Sequence, residues 1–350
     1  MRSKKYWALG AAVAIVLSAC SNTADELPTP IVETPSAVET DGEGNGEGGE
    51  GTNGAGQSQR ADQVLENISD ALDTAYGEMS IDNIRARIGG PARLSLVAMF
   101  KNAERFDTEA TNTISAFDPD STWGTSTDFP RVAMAFTEDP DTGTNDQLLV
   151  LAQSDGRENY RLWGFADLVP ADVDITFTSD TDSVVKEDGE GLVASPLATV
   201  EAYAELLQDA ETDLSFEEDG LTTTLHERRD SIAESLGDNG ESDLAARALD
   251  HGPLTLTTED GGAVTMGVFE YDVIIERTAA GSTITVADKP GQWMTGEADS
   301  TYDVKGTLTS TYMVTVAFYI PPEGGGNIQV IAASSPELVD VTDDDSTDPD

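Results

Sequence analysis

The chain has 350 residues, 66 of them acidic and 19 basic, for a formal net charge of −47 at pH 7. A surface of that sign repels phosphate backbones and anionic lipid headgroups, which excludes a nucleic-acid-binding role. A hydrophobic content of 38% is enough for sizeable cores, the length suggests two domains, and a single cysteine leaves no disulfide and no thiolate metal site to staple them.

The amino terminus reads as an export signal. Arg2, Lys4 and Lys5 form a basic n-region ahead of the apolar run Trp7–Leu17. Such a run fits a signal peptide and falls short of the about 20 apolar residues that span a bilayer as a helix. It ends in Leu17-Ser18-Ala19-Cys20, an aliphatic residue and two small ones before the one cysteine. This stretch resembles the lipobox of bacterial lipoproteins. The resemblance implies a diacylglyceryl group on the Cys20 thiol, loss of residues 1–19, and acylation, as with palmitate, of the new amino group. Two or more acyl chains hold a protein firmly where one binds only marginally. The expected location is the cell membrane, lipid-anchored through Cys20, with the body on the extracytoplasmic side. Cleavage removes three basic and no acidic side chains, which takes the net charge from −47 to −50.

Residues 20–58 carry eight acids and no base, and include the run Gly42–Gly51. Such a composition cannot offset the entropy of ordering, so a disordered linker is expected. As a flexible coil it spans roughly 30–35 Å, enough to hold a body off the membrane.

A first α+β domain is expected over 59–178. Ala61, Val64, Leu65, Ile68, Leu72 and Ala75 recur at helical steps from Arg60 to Tyr76. A short second helix follows Ser80, with Ile81, Ile84 and Ile88 on one side, and stops at Gly89-Gly90-Pro91. Leu94–Phe100 then reads as a strand, and 107–128 as a polar excursion. Arg131–Thr137, Leu148–Ala152 and Tyr160–Leu168 complete an antiparallel meander. In the last of these, Tyr160, Leu162 and Gly164 face one way and Arg161, Trp163 and Phe165 the other.

Residues 179–194 are an acidic connector. A second α+β domain is expected over 195–342. Ser195-Pro196 is an N-cap with proline at the first helical position, and the helix buries Val200, Tyr203, Leu206 and Leu207. Leu221–Leu236 is a further helix closed by Gly237, and Glu241–Leu249 a third. Strands follow at Leu254–Thr257, Val264–Arg277, Thr283–Val286, Tyr302–Leu308, Tyr312–Ile320 and Ile328–Ala333. Residues 343–350 read as an acidic disordered tail. The expected fold is thus α+β: two tandem domains, each with amino-terminal helices on a curved antiparallel sheet. The shared order of helices, Gly-Pro break (Gly90-Pro91, Gly252-Pro253) and sheet suggests an internal duplication.

Helices followed by a curved sheet resemble the nuclear-transport-factor-type cone fold. With its lipobox and linker, and the stretch Tyr160-Arg161-Leu162-Trp163-Gly164-Phe165-Ala166-Asp167-Leu168-Val169-Pro170, the chain also resembles an actinobacterial family of surface lipoproteins of unknown function. That resemblance implies that the stretch is a closing strand leading into the connector, and it brings no activity with it.

Candidate chemistry is sparse. Residues 60–180 hold 22 acidic and 9 basic side chains and residues 181–342 hold 31 and 7, so both portions are acidic. High-salt or secretory adaptation explains this, and cation capture is the functional alternative. His226, in His226-Glu227-Arg228-Arg229-Asp230, reads as part of a charged helix face, and His251 as a helix cap. Asp139, Asp141, Asn145 and Asp146, and Asp118 with Asp120, offer oxygen ligands suited to calcium without the helix-loop-helix spacing. Tyr160, Trp163, Trp293 and Tyr302 either line a pocket or fill cores. No catalytic, cofactor-binding or metal-ligating residue is assigned, and Cys20 is the one site residue. The expected role is binding or scaffolding of an envelope protein or small ligand. The alternatives are an isomerase- or hydrolase-type enzyme in a cone cavity, with Asp272 beside Tyr271 as the pair to inspect, and a passive spacer or adhesion module.

Overall fold

A computed structural model describes residues 12–15, 53–110, 114, 123–125, 129–138, 145–178 and 188–350. The first part of the chain supplies β1 (Ala12–Ile15), α1 (Asn53–Glu78), α2 (Gly90–Arg105), β2 (Trp123–Thr125), β3 (Arg131–Glu138), β4 (Asn145–Gln153) and β5 (Arg161–Leu168). The second supplies α3 (Pro196–Leu207), α4 (Gly220–Leu236), β6 (Gly240–Ala248), β7 (Leu254–Thr257), β8 (Ala263–Arg277) and β9 (Thr283–Val286). It continues with α5 (Asp288–Thr295), β10 (Tyr302–Asp303), β11 (Thr307–Ile320), β12 (Gln329–Ala333) and β13 (Glu337–Asp344). Cys20 and the Leu17-Ser18-Ala19 stretch before it, expected as a lipobox, lie outside the described residues, as does the expected linker up to residue 52.

The sheet grows from β8 and β11, which pair antiparallel from Thr307↔Glu276 to Ile320↔Ala263 without a register shift. Valines, isoleucines, threonines and aromatics dominate both, residues suited to a pleated, packed surface. One face presents Phe269, Tyr271, Val273, Tyr312, Val314 and Phe318 to α3 and α4, which contribute Val200, Tyr203, Leu207, Leu225, Ile232 and Leu236. Tyr203 sits at the centre, with ring centroids 4.8 Å from Phe318 and 5.4 Å from Phe269. Both helices start as the sequence predicts. The Ser195 side chain accepts from the Ala198 N–H at 3.1 Å with Pro196 behind it, and α4 ends at Gly237.

The ten strands run in the order β2-β3-β4-β5-β12-β11-β8-β6, with β13 beside β11 and β7 beside β8. A separate small sheet orders β1-β9-β10, in which β1 runs parallel to β9. Mixed α and β structure around a large antiparallel sheet therefore agrees with the expected class.

β3 and β4 are buried on both faces. Ala133, Leu149, Leu151, Leu162 and Phe165 meet Leu65, Ile68, Leu72, Leu96 and Phe100 of α1 and α2. Their neighbours Val132, Met134, Phe136, Leu148, Val150 and Ala166 meet Leu256, Val264, Met266, Ala317, Tyr319 and Ile331. Double burial explains the unbroken apolar runs Val132–Phe136 and Leu148–Ala152, which an open sheet would interrupt with polar residues. The sheet passes across the expected connector without a break, since β5 pairs with β12 at Leu168↔Ala332 and Asp167↔Ala333. Phe106, at the end of α2, enters the core beneath α3 and α4. Full burial of a Val, Leu or Met is worth about 1.5–3 kcal/mol. Side chains buried between the two portions therefore tie them together, each by an amount of that order.

Several sequence expectations need correction. Gly90-Pro91 opens a helix and does not close one, because proline fits the first helical turn, where its missing N–H has no partner to lose. The expected strand at Leu94–Phe100 therefore lies within α2, and the turns before it hold Ile84 and Ile88 in the core without a helix. Glu241–Leu249, expected as a helix, is the edge strand β6 paired to β8. The backbone of β8 is buried under α3 and α4 and needs ladder partners along 269–277, which a helix cannot supply. α5 was not foreseen. The faces expected along Tyr160–Leu168 break at a bulge opposite Val150/Leu151, which turns Leu162 and Phe165 to the same core. The tail 343–350 is also ordered. β13 reaches Asp344, a 3-10 turn covers Asp345–Thr347, and Arg277 holds Asp348 and Asp350.

The bulge aims Trp163 at both Gly-Pro breaks. A Cβ on Gly90 (φ +51°) would lie 2.5 Å from Cδ1 of the indole, and one on Gly252 (φ +151°) 2.9 Å from Cζ2. Both glycines combine a backbone that L side chains avoid with a space already filled. Gly90→Ala and Gly252→Ala should each lower stability by about 1–3 kcal/mol through overpacking and strain. In denaturant melts, Trp163→Leu should recover part of the loss. Additive effects of the glycine and tryptophan changes would show that the indole is not the obstacle.

Candidate functional site

A groove opens where β5 leaves the edge of β12. Val169 N–H still donates to the Ile331 carbonyl at 3.0 Å, but Pro170 has no N–H to continue the ladder. The chain bends away, and the Asp172 N–H reaches only the Gln329 side chain, at 3.0 Å. Further along the same edge the segment before α4 takes over, with Ile328 N–H to Ser215 at 2.9 Å and Glu217 N–H to Ile328 at 2.8 Å. Between the two lies a groove with an apolar floor of Val169, Leu221 and Val330 and a rim of Asp172, Glu217 and Glu218. The rim continues past Glu205, Glu211 and Asp213 into a second, more open depression. Among the described residues, no basic one lines either depression. The N-cap Asp219 is structurally engaged. Its carboxylate accepts the N–H groups of Leu221 and Thr222 at 2.8 and 3.0 Å and the buried Tyr203 hydroxyl at 3.0 Å. What remains available is a carboxylate rim over apolar residues, a geometry that selects cations carrying some apolar surface.

A family model described as domain of unknown function DUF8094 matches residues 131–342. The chain belongs to the DUF8094 family. No curated protein and no solved structure matches the chain. The DUF8094 match begins at the first residue of β3, ends within β13 and runs across the expected connector. It contains every lining residue of the groove and none of α1 or α2.

Among the described residues, those singled out in the sequence do not converge on this or any other site. His226 donates from Nε2 to the Leu206 carbonyl at 2.8 Å, with Nδ1 3.7 Å from Asp209. It ties α4 to the end of α3, as Arg229 does through Asp209 at 2.8 Å. His251 is exposed beyond β6, so it caps no helix. Tyr271 and Asp272 point to opposite faces of β8. Tyr271 stacks on Tyr312 at 5.3 Å in the core, and Asp272 accepts from Thr311 at 2.6 Å outside it. The four aromatics are dispersed. Tyr160 packs on the core under α1 and α2, Trp163 on the shared core between the portions, and Trp293 and Tyr302 on the core under α3 and α4. The Trp293 ring carries the Arg105 guanidinium 3.9 Å above it. Asp118, Asp120, Asp139 and Asp141 lie outside the described residues, and only the backbone of Asn145 and Asp146 is described. Among the described residues no group of three or more His, Asp or Glu side chains is placed to hold a metal ion.

One small cavity between α2 and β5 collects Ser95, Asp167, Ser334 and Glu337, the kind of convergence an enzyme reading would need. At about 30 Å³ it has room for a water and not for a substrate. The groove acids escaped the sequence reading because Val169–Asp172 and Glu217–Leu221 meet only through β12. Their one signal was Pro170 at the end of an otherwise ideal strand.

Six of the eight tyrosines are held protonated. Burial raises Tyr76, Tyr203, Tyr271, Tyr312 and Tyr319 above the usual range, with the Asp219 and Asp260 carboxylates adding to Tyr203 and Tyr319. Tyr302 is pushed up to about 12 by burial and its hydrogen bond to Asp343. A phenol with a raised folded pKa stabilises the fold below its unfolded pKa near 10, and that contribution disappears as pH rises through the folded value. Absorbance titration at 295 nm should show these six ionising late, together with loss of near-UV circular dichroism. Smooth titration of all eight around pH 10 in a folded protein would contradict the burial of these phenols.

Proposed function

We propose that the chain is a membrane-anchored, extracytoplasmic lipoprotein that binds a partner at the cell envelope. The observation that carries the anchoring is Leu17-Ser18-Ala19-Cys20 behind a short apolar run with a basic start. No helix among the described residues is long and apolar enough to cross a membrane; in this reading lipid on Cys20 is the means of attachment. The binding role is supported by the groove beside β12, whose floor and rim suit a cationic ligand or a basic segment of a partner. We also read the sheet as two helix-covered halves, the tandem arrangement that the cone-type resemblance implies. α1 and α2 cover β3–β5, α3 and α4 cover β8 and β11, and the uncovered faces of the two halves meet each other.

Cys20→Ala should move the protein from the membrane fraction to the soluble extracytoplasmic fraction, or leave it at precursor mass. Normal processing and anchoring of that variant would refute the lipoprotein reading. For the groove, a labelled oligolysine peptide should bind at least tenfold more weakly after Glu217→Lys with Glu218→Lys. Glu297→Lys with Asp299→Lys, on the exposed turn after α5, should change binding less than twofold. Equal losses in the two variants would reduce the groove to part of a generally acidic surface.

A further inference from the structure

Arg277, the last residue of β8, is only 5% exposed, yet its guanidinium faces the charged end of the chain. Two backbone carbonyls fix its plane: Nε donates to Lys305 at 2.9 Å and Nη1 to Ser282 at 3.2 Å. Neutral carbonyls orient the cation without balancing its charge, and a buried, unbalanced charge is costly. The outward edge of the guanidinium is thus free to take an anion. Asp348 and Asp350 supply it, Asp350 at 3.0 Å from Nη1 and Asp348 in direct contact with Nη2. The second oxygen of Asp350 accepts the Gly281 N–H at 2.6 Å, and the Asp350 N–H donates to Asp348 at 2.9 Å.

We propose that Arg277, with the Gly281 N–H, forms a receptor pocket for an acidic peptide carrying two aspartates one residue apart, filled here by the chain's own Asp348 and Asp350. Three features of the geometry support exchange. The groups that orient Arg277 and Asp350, namely the Ser282 and Lys305 carbonyls and the Gly281 N–H, lie outside the bound segment, and Asp343 holds the 305–306 backbone from its other side. The bound carboxylates remain 37% and 52% exposed while the arginine side chain is 6% exposed, so the occupant lies at the surface and the receptor beneath it. Arg277 lies within residues 131–342 of the family match and its occupant beyond them.

The net charge of −47 repels an acidic segment at long range, but salt screens that repulsion beyond ~8–10 Å. At contact the forked guanidinium holds two carboxylates in a way that a lysine ammonium cannot reproduce. The same chemistry admits the equivalent segment of a second copy in trans. The pocket is independent of the groove beside β12.

The test uses the full chain and a labelled peptide with the sequence of residues 343–350. Asp348→Asn with Asp350→Asn should empty the pocket and raise the affinity for the peptide at least tenfold over wild type, whose own segment competes. Adding Arg277→Lys should cancel that gain, and a peptide with both aspartates replaced by asparagine should not bind. Equal peptide affinity in wild type and the double variant, or affinity indifferent to Arg277→Lys, would overturn the proposal. A second measurement needs no variant. Excess unlabelled peptide should speed hydrogen exchange of residues 344–350 in wild type at least threefold and leave β8 unchanged, whereas no change would equally overturn it.

Discussion

The indole of Trp163 fixes three distant parts of the chain at one point. It fills the space beside Gly90, where α2 begins, and beside Gly252, where the chain passes from β6 to β7. The bulge in β5 that aims it also turns Leu162 and Phe165 towards α1 and α2. One irregular residue in a strand thus sets the start of a helix, the path between two strands and the division of side chains between two cores. Packing of this kind tolerates little change in volume, which makes the contact a constraint on the whole sheet.

Basic residues are few in this chain, and several are committed to internal contacts. Arg277 balances the carboxyl-terminal aspartates, Arg229 joins α3 to α4 through Asp209, and Arg105 lies on Trp293 across the α2–α5 contact. Arg247 bridges β6 to Glu270 and Asp272 of β8. With these cations engaged elsewhere, no basic residue among the described ones lines the groove rim. The surface electrostatics therefore follow from where the scarce cations are used as much as from the abundance of acids.

How much of this was legible in the sequence depended on how local the cause was. α3 and α4 were readable because Ser195-Pro196 and Gly237 act within a few residues of the helix ends. β3 and β4 were readable because burial on both faces writes continuous apolar runs. α2 was misread because Leu94–Phe100 satisfies either period, and the deciding contacts with β5 lie far along the chain. β6 was misread because its spacing of Leu244, Ala245 and Ala248 suits a helix, while the demand for ladder partners comes from β8. The ordered tail depends on Arg277 and the groove on Pro170, β12 and the start of α4, none of them near in sequence to what they organise.

The family match starts at Arg131, on a strand that already has one face committed. Ala133, Leu149, Leu151, Leu162 and Phe165 are covered by Leu65, Ile68, Leu72, Leu96 and Phe100, all of which precede the match. The matched segment therefore does not cover this face of its own strands: the side chains that close it come from α1 and α2, which lie outside the match.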